Sequence, residues 1–182
     1  HEQIDSAKGD FRFVKSDLII RHLGYSDPEH IKGKALRNLR ILNLELEKQP
    51  DDLHLKYHAA NSLLVLNRKL EAIEHLRNVA FHPDSHNHPD LLQHSLILLA
   101  KLFKQMGDSK TGIKLLTELI RIMPQCAQAY YRLGVIYFEE QLYSECRSML
   151  EEFFMCPLEP KSIPVAPNMI TGWAHYYLGQ CM

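Results

Sequence analysis

Residues 93–154 read QHSLILLAKLFKQMGDSKTGIKLLTELIRIMPQCAQAYYRLGVIYFEEQLYSECRSMLEEFF. The stretch overlays on itself with a shift of 34 residues. Leu99-Ala100 recurs as Leu133-Gly134, Phe103 as Tyr137, Gly112 as Cys146 and Leu116 as Leu150. Each match keeps its chemical type: a large apolar residue, a small one, an aromatic, a small one, a large apolar one. Pro124 closes the first copy, and Pro157 falls one residue short of the same place in the second. Each copy reads as a helical hairpin, with Met106-Gly107-Asp108 and Gln141-Leu142-Tyr143 as the turns between its helices.

A 34-residue period of helix–turn–helix units resembles the tetratricopeptide (TPR) family. The resemblance implies an all-α right-handed solenoid of about three repeats, preceded by one helix and followed by a truncated final repeat. Working backwards, Ala59-Ala60 lies 40 residues before Leu99-Ala100, and Ala72 lies 40 before Gly112. Both offsets agree, so six extra residues sit together in the His-, Pro- and Asp-rich segment 81–89. Asn67-Arg68-Lys69 then makes the turn of the first hairpin. The array is expected over 51–182, with repeats near 53–81, 91–124 and 125–157 and a partial one over 168–182, after a proline-rich linker. Small residues should let paired helices approach: Ala60 with Ala72, Ala100 with Gly112, Gly134 with Cys146. Leu63, Leu76, Phe103, Leu116, Tyr137 and Leu150 should fill the space between them.

Composition narrows the function classes. Apolar residues make up 46% of the 182, as in a folded globular chain. With 21 basic and 22 acidic side chains the net charge is −1, so no global field draws nucleic acid. No run of 18 apolar residues exists, so no membrane span is expected. No secretory signal opens the chain, and the first residue is His1 rather than Met, which reads as an excised piece of a longer protein. Cys126, Cys146, Cys156 and Cys181 share no CxxC spacing and read as reduced thiols of a cytoplasmic protein.

The opening differs from the repeat. Phe11-Arg-Phe-Val and Leu18-Ile-Ile-Arg-His22 are β-rich runs, so residues 1–27 read as the tail of an upstream domain. Asp27 and Pro28 then start a linking helix over 28–50. Two patches here, His1-Glu2-Gln3-Ile4 and Ile20-Arg-His22-Leu-Gly24-Tyr25, followed by Arg37-Asn38-Leu39 and a Glu-rich helix ending at Pro50, resemble the junction of bacterial family-2 glycosyltransferases. In those enzymes a nucleotide-sugar-binding GT-A domain precedes TPR repeats. The resemblance implies that His1, Glu2 and His22 are a remnant of a donor site, and that the metal-binding Asp motif lies upstream. The chain would then be the C-terminal arm of such a transferase, positioning an acceptor, a partner or a dimer mate.

The likeness to TPR arrays also implies a ligand face. First helices of the hairpins line the concave side, and their outward residues touch protein or peptide ligands. Here these are His54, Tyr57, Asn61 and Leu64, then His94, Ile97, Lys101 and Lys104, then Gln128, Tyr131, Arg132, Val135 and Phe138. A chaperone-tail clamp of Lys, Asn, Asn, Lys and Arg is not expected, because Tyr57, Asn61, Leu98, Gln128 and Arg132 stand in its places. Among the 11 histidines, His82, His86 and His88 crowd one segment with Asp84 and Asp90. Their prolines and spacing read as an inter-repeat loop rather than a metal site. No nucleophile motif or phosphate-binding glycine loop occurs. The expectation is therefore a non-catalytic interaction module without cofactor or metal, binding a protein or peptide and capable of self-association.

Overall fold

A computed structural model describes residues 27–157 and 167–181. Eight α-helices follow in order: α1 (Pro28–Lys48), α2 (Leu53–Val65), α3 (Lys69–Ala80), α4 (Pro89–Gln105), α5 (Ser109–Ile122), α6 (Ala127–Glu139), α7 (Tyr143–Met155) and α8 (Pro167–Gln180). No strand occurs among the described residues. The β-rich segment expected over 1–27 lies outside them except for Asp27. That residue has extended backbone and caps α1 by accepting the Glu29 N–H at 3.0 Å.

The hairpin turns repeat to the residue. Asn67, Gly107 and Gln141 stand in register and carry φ of 59°, 84° and 61°. Each sits just past a helix whose last turn is closed by the same bond. The N–H of Arg68 donates to the Leu63 carbonyl at 2.9 Å, that of Asp108 to Phe103 at 2.9 Å, and that of Leu142 to Tyr137 at 2.8 Å. These are Schellman closures, which need one left-handed residue after the helix. Asp52 and Asp108 cap the helices that follow, accepting from the Leu55 and Thr111 N–H groups.

The small residues pack as their register predicts. A Cβ built on Gly112 would lie 3.0 Å from the Ala100 carbonyl oxygen, and one on Gly134 would lie 2.9 Å from Leu150 Cδ2. Ala60, Ala72 and Cys146 are fully buried, and so are Leu76, Leu116 and Leu150 at the matching large positions. One core cluster runs from Leu39 to Ile136, and a second joins Cys146, Leu150 and Phe153 to Ile170 and Ala174 of α8.

Two features depart from the expected array. The inserted segment is exposed at most of its positions, as an inter-repeat loop would be, but it is ordered: Pro83–Asn87 is a 3-10 turn that packs on α4, and Ser85 within it is buried. Pro89 then starts α4 a full turn earlier than its equivalent in α6, because proline fits the first helical turn and needs no donor there. Helix α1 also does more than link. It packs on α2 as α3 packs on α4 and α5 on α6, so it occupies the place of a second helix of a repeat.

Candidate binding face

Successive first helices α2, α4, α6 and α8 touch one another, while the second helices α3, α5 and α7 meet chiefly the first helices on either side. Elements on the inside of a curve lie closer together, so the row of first helices is the inner face of the array. This is the face on which the predicted site residues were placed.

The structure splits that set in two. One group forms the seams between neighbouring first helices. The rings of Tyr57 and His94 lie 6.3 Å apart across α2 and α4. Ile97 and Gln128, the equivalent pair on α4 and α6, are only 7% and 8% exposed. Tyr131 lies 5.7 Å from Phe153 and is part-buried, and burial pushes its hydroxyl above the usual phenol range. His94 is held by a 2.7 Å bond between its Nδ1 and the Asp90 carbonyl, and His54 meets His88 edge to face at 5.3 Å. Tyr57, His94, Ile97, Gln128 and Tyr131 pack between helices, while His54 stays exposed beside His88. Gln128 is buried and offers no ligand contact of the kind a clamp would need.

The second group stays at the surface. Lys101 and Arg132 are exposed, and Leu64, Lys104, Val135 and Phe138 are half-buried. Leu64, Leu98, Lys101 and Leu102 line a pocket of about 220 Å³ between α2 and α4, with Lys69 and Gln105 at its ends. Lys104 is ion-paired with Glu139 on α6. Phe138 lies 4.8 Å from Tyr177 and 5.8 Å from Tyr143. Asn61 points the other way along the array, into a groove of about 420 Å³ between α1 and α2.

Sequence reasoning missed the aromatic cluster at the C-terminal end. Trp173 and Tyr176 of α8 are 52% and 53% exposed, and both contact the Tyr177 ring. The register marks them, because Tyr176 falls on Tyr131 and Trp173 on Gln128 once the linker is allowed for. The histidines of the 81–89 segment go to separate contacts. His82 Nδ1 accepts the Asp84 N–H at 3.1 Å, and His88 faces His54. No group of three or more His, Cys, Asp or Glu side chains converges on a metal position among the described residues. His1, Glu2 and His22 lie outside the described residues. No described helix is long and apolar enough to cross a membrane.

The fold and its inner face define a tetratricopeptide-type helical-repeat array. Residues 25–161 match the family described as the Tetratricopeptide repeat protein 21 C-terminal ARM domain, and the chain belongs to that family. Among solved structures it is similar to the MamA protein, with a TM-score of 0.62 at 15% identity, covering 87% of this chain and 78% of that one. A second MamA structure aligns with a TM-score of 0.36 at 16% identity, over 75% of this chain and 95% of that one. No curated protein matches the chain in sequence.

Proposed function

We propose that the chain is a protein-interaction module that holds a peptide segment of its partner on the inner face. The observation that carries this reading is the pocket between α2 and α4, where Leu64, Leu98 and Leu102 form an apolar floor and Lys101 stands at the rim. With Arg132 exposed one helix further on, the face suits a segment with an apolar anchor flanked by acidic side chains. The seam residues Tyr57, Ile97, Gln128 and Tyr131 hold the helices that present it.

Charge reversal tests the face without disturbing the seams. Lys101→Glu combined with Arg132→Glu should lose the partners that the parent chain captures. Arg77→Glu, an exposed position on the outer helix α3, should keep them. Equal recovery by both variants would rule out the inner face. The transferase-arm reading rests on sequence patches alone: the comparisons give it no support, and Arg37-Asn38-Leu39 falls inside the matched repeat-protein domain.

A further inference from the structure

The pocket between α2 and α4 has a counterpart at each later seam between first helices. Shifts of 40 and then 34 residues carry Leu64 and Lys69 to Lys104 and Ser109, and on to Phe138 and Tyr143. A shift of 34 carries Gln105 and its neighbour Met106 to Glu139 and Glu140. Leu64, Lys69 and Gln105 all line the α2–α4 pocket, so these positions can be followed from seam to seam.

Both later seams are filled from within. Between α4 and α6, Lys104 is ion-paired with Glu139, and Ser109 Oγ donates to the Glu140 carboxylate at 2.5 Å. Two adjacent acidic side chains at the end of a first helix thus close that seam. Between α6 and α8 aromatic rings do so: Phe138 lies 4.8 Å from Tyr177 and 5.8 Å from Tyr143. The α2–α4 seam has neither device. Gln105 and Met106 are uncharged, and no carboxylate lines the pocket, yet Lys69 and Lys101 both line it. Neither lysine has an ion pair among the described residues.

We infer that the α2–α4 pocket takes two adjacent acidic side chains of a partner peptide, one carboxylate to Lys69 and one to Lys101, with the apolar residue before them on the leucine floor. The partner then supplies what α6 supplies one seam further on. The inference rests on the inner face being the peptide-binding face, and it adds Lys69, at the start of the second helix α3, as the residue that selects for acid. An amide pair of the same size would leave both lysines without counter-charge, so the pocket discriminates by charge.

A random peptide library displayed on phage tests this against the whole chain. Each peptide is fused at its C-terminal end, so that no free terminal carboxylate is offered. Enriched peptides should carry an apolar residue followed by two adjacent acids. In a synthetic, C-terminally amidated copy, changing both acids to their amides should weaken binding about tenfold or more, because charged hydrogen bonds are lost. Lys69→Gln should remove the preference for acid. Gln105→Glu with Met106→Glu copies the closed seam at two exposed positions, and should abolish binding with the helical fold intact by circular dichroism. The inference is overturned, and the inner face left standing, by peptides that Lys101→Glu with Arg132→Glu releases but that lack the acidic pair. The same holds if they bind Lys69→Gln and the Glu-Glu variant as well as the parent. No enrichment, or peptides that bind Lys101→Glu with Arg132→Glu undiminished, overturns the inner face and the inference together.

Discussion

At the residue scale, the three hairpin turns form a natural experiment. Asn67, Gly107 and Gln141 share one left-handed conformation, but only Gly107 adopts it without strain. Gln141→Gly should therefore stabilise the chain by about 1 kcal/mol and Gly107→Ala should destabilise it by a similar amount. Thermal melts read both, and an equal loss for the two would show that the turns are not equivalent. His75 supplies a pH dependence. Burial lowers its pKa below the ordinary 6.5, and its Nδ1 is enclosed without a hydrogen-bond partner among the described residues. The neutral ring is thus favoured in the folded chain. Its contribution is present above the unfolded value of 6.5 and is lost as the pH falls through the lower folded value. His75→Gln should flatten the acid side of a stability–pH profile from urea unfolding. An unchanged slope would assign the acid sensitivity to another group. Asn67 and Gly107 mark their turns in the sequence, and Gln141 is found by the 34-residue register that places it on Gly107. The state of His75 was not, because burial comes from the helix packed over it.

At the element scale, the repeat positions differ in what surrounds them. Gly112 abuts a backbone carbonyl of the neighbouring helix, while Gly134 abuts the far end of the Leu150 side chain. A carbonyl moves only if its helix moves, whereas a leucine can change rotamer. Gly112→Ala should therefore cost more than Gly134→Ala, and Gly134→Leu should cost ~1–3 kcal/mol or more. Urea midpoints of the three variants give the order, and a parent-like Gly134→Leu would remove the packing assignment. The sequence showed that small residues belong at both places, because the 34-residue shift aligns them. It did not show which neighbour each would meet. The same limit explains the predicted ligand face. Equal spacing along the first helices placed His94, Ile97 and Lys101 on one side, but packing of α4 against α2 and α6 buries Ile97 and leaves Lys101 exposed.

At the scale of the whole molecule, the thiols report the integrity of the stack. Burial, with the Cys181 thiol beside it, pushes Cys146 up to about 12 from an ordinary 9.0, and burial also raises Cys126. Both should stay protonated and resist an aromatic disulfide reagent in the native chain, then react once the array unfolds. Cys156 and Cys181, both half-exposed, should react before the two buried thiols. Native labelling of Cys146 at the rate of Cys156 would mean that α8 leaves α7 freely. Raised thiol values also mean that stability is lost as the pH climbs above 9 towards 12, where the unfolded chain ionises first. The sequence by itself determined the helical hairpins, their 34- and 40-residue register, the small residues at their crossings and the turns between them. All of these are local or periodic constraints, written into single residues and repeated. Only the tertiary structure decided that α1 is half of a repeat, that the 81–89 insertion is an ordered turn, and which inner-face residues stack helices rather than meet solvent. Those outcomes depend on which surfaces neighbouring helices cover, a non-local property that the spacing along one helix does not carry.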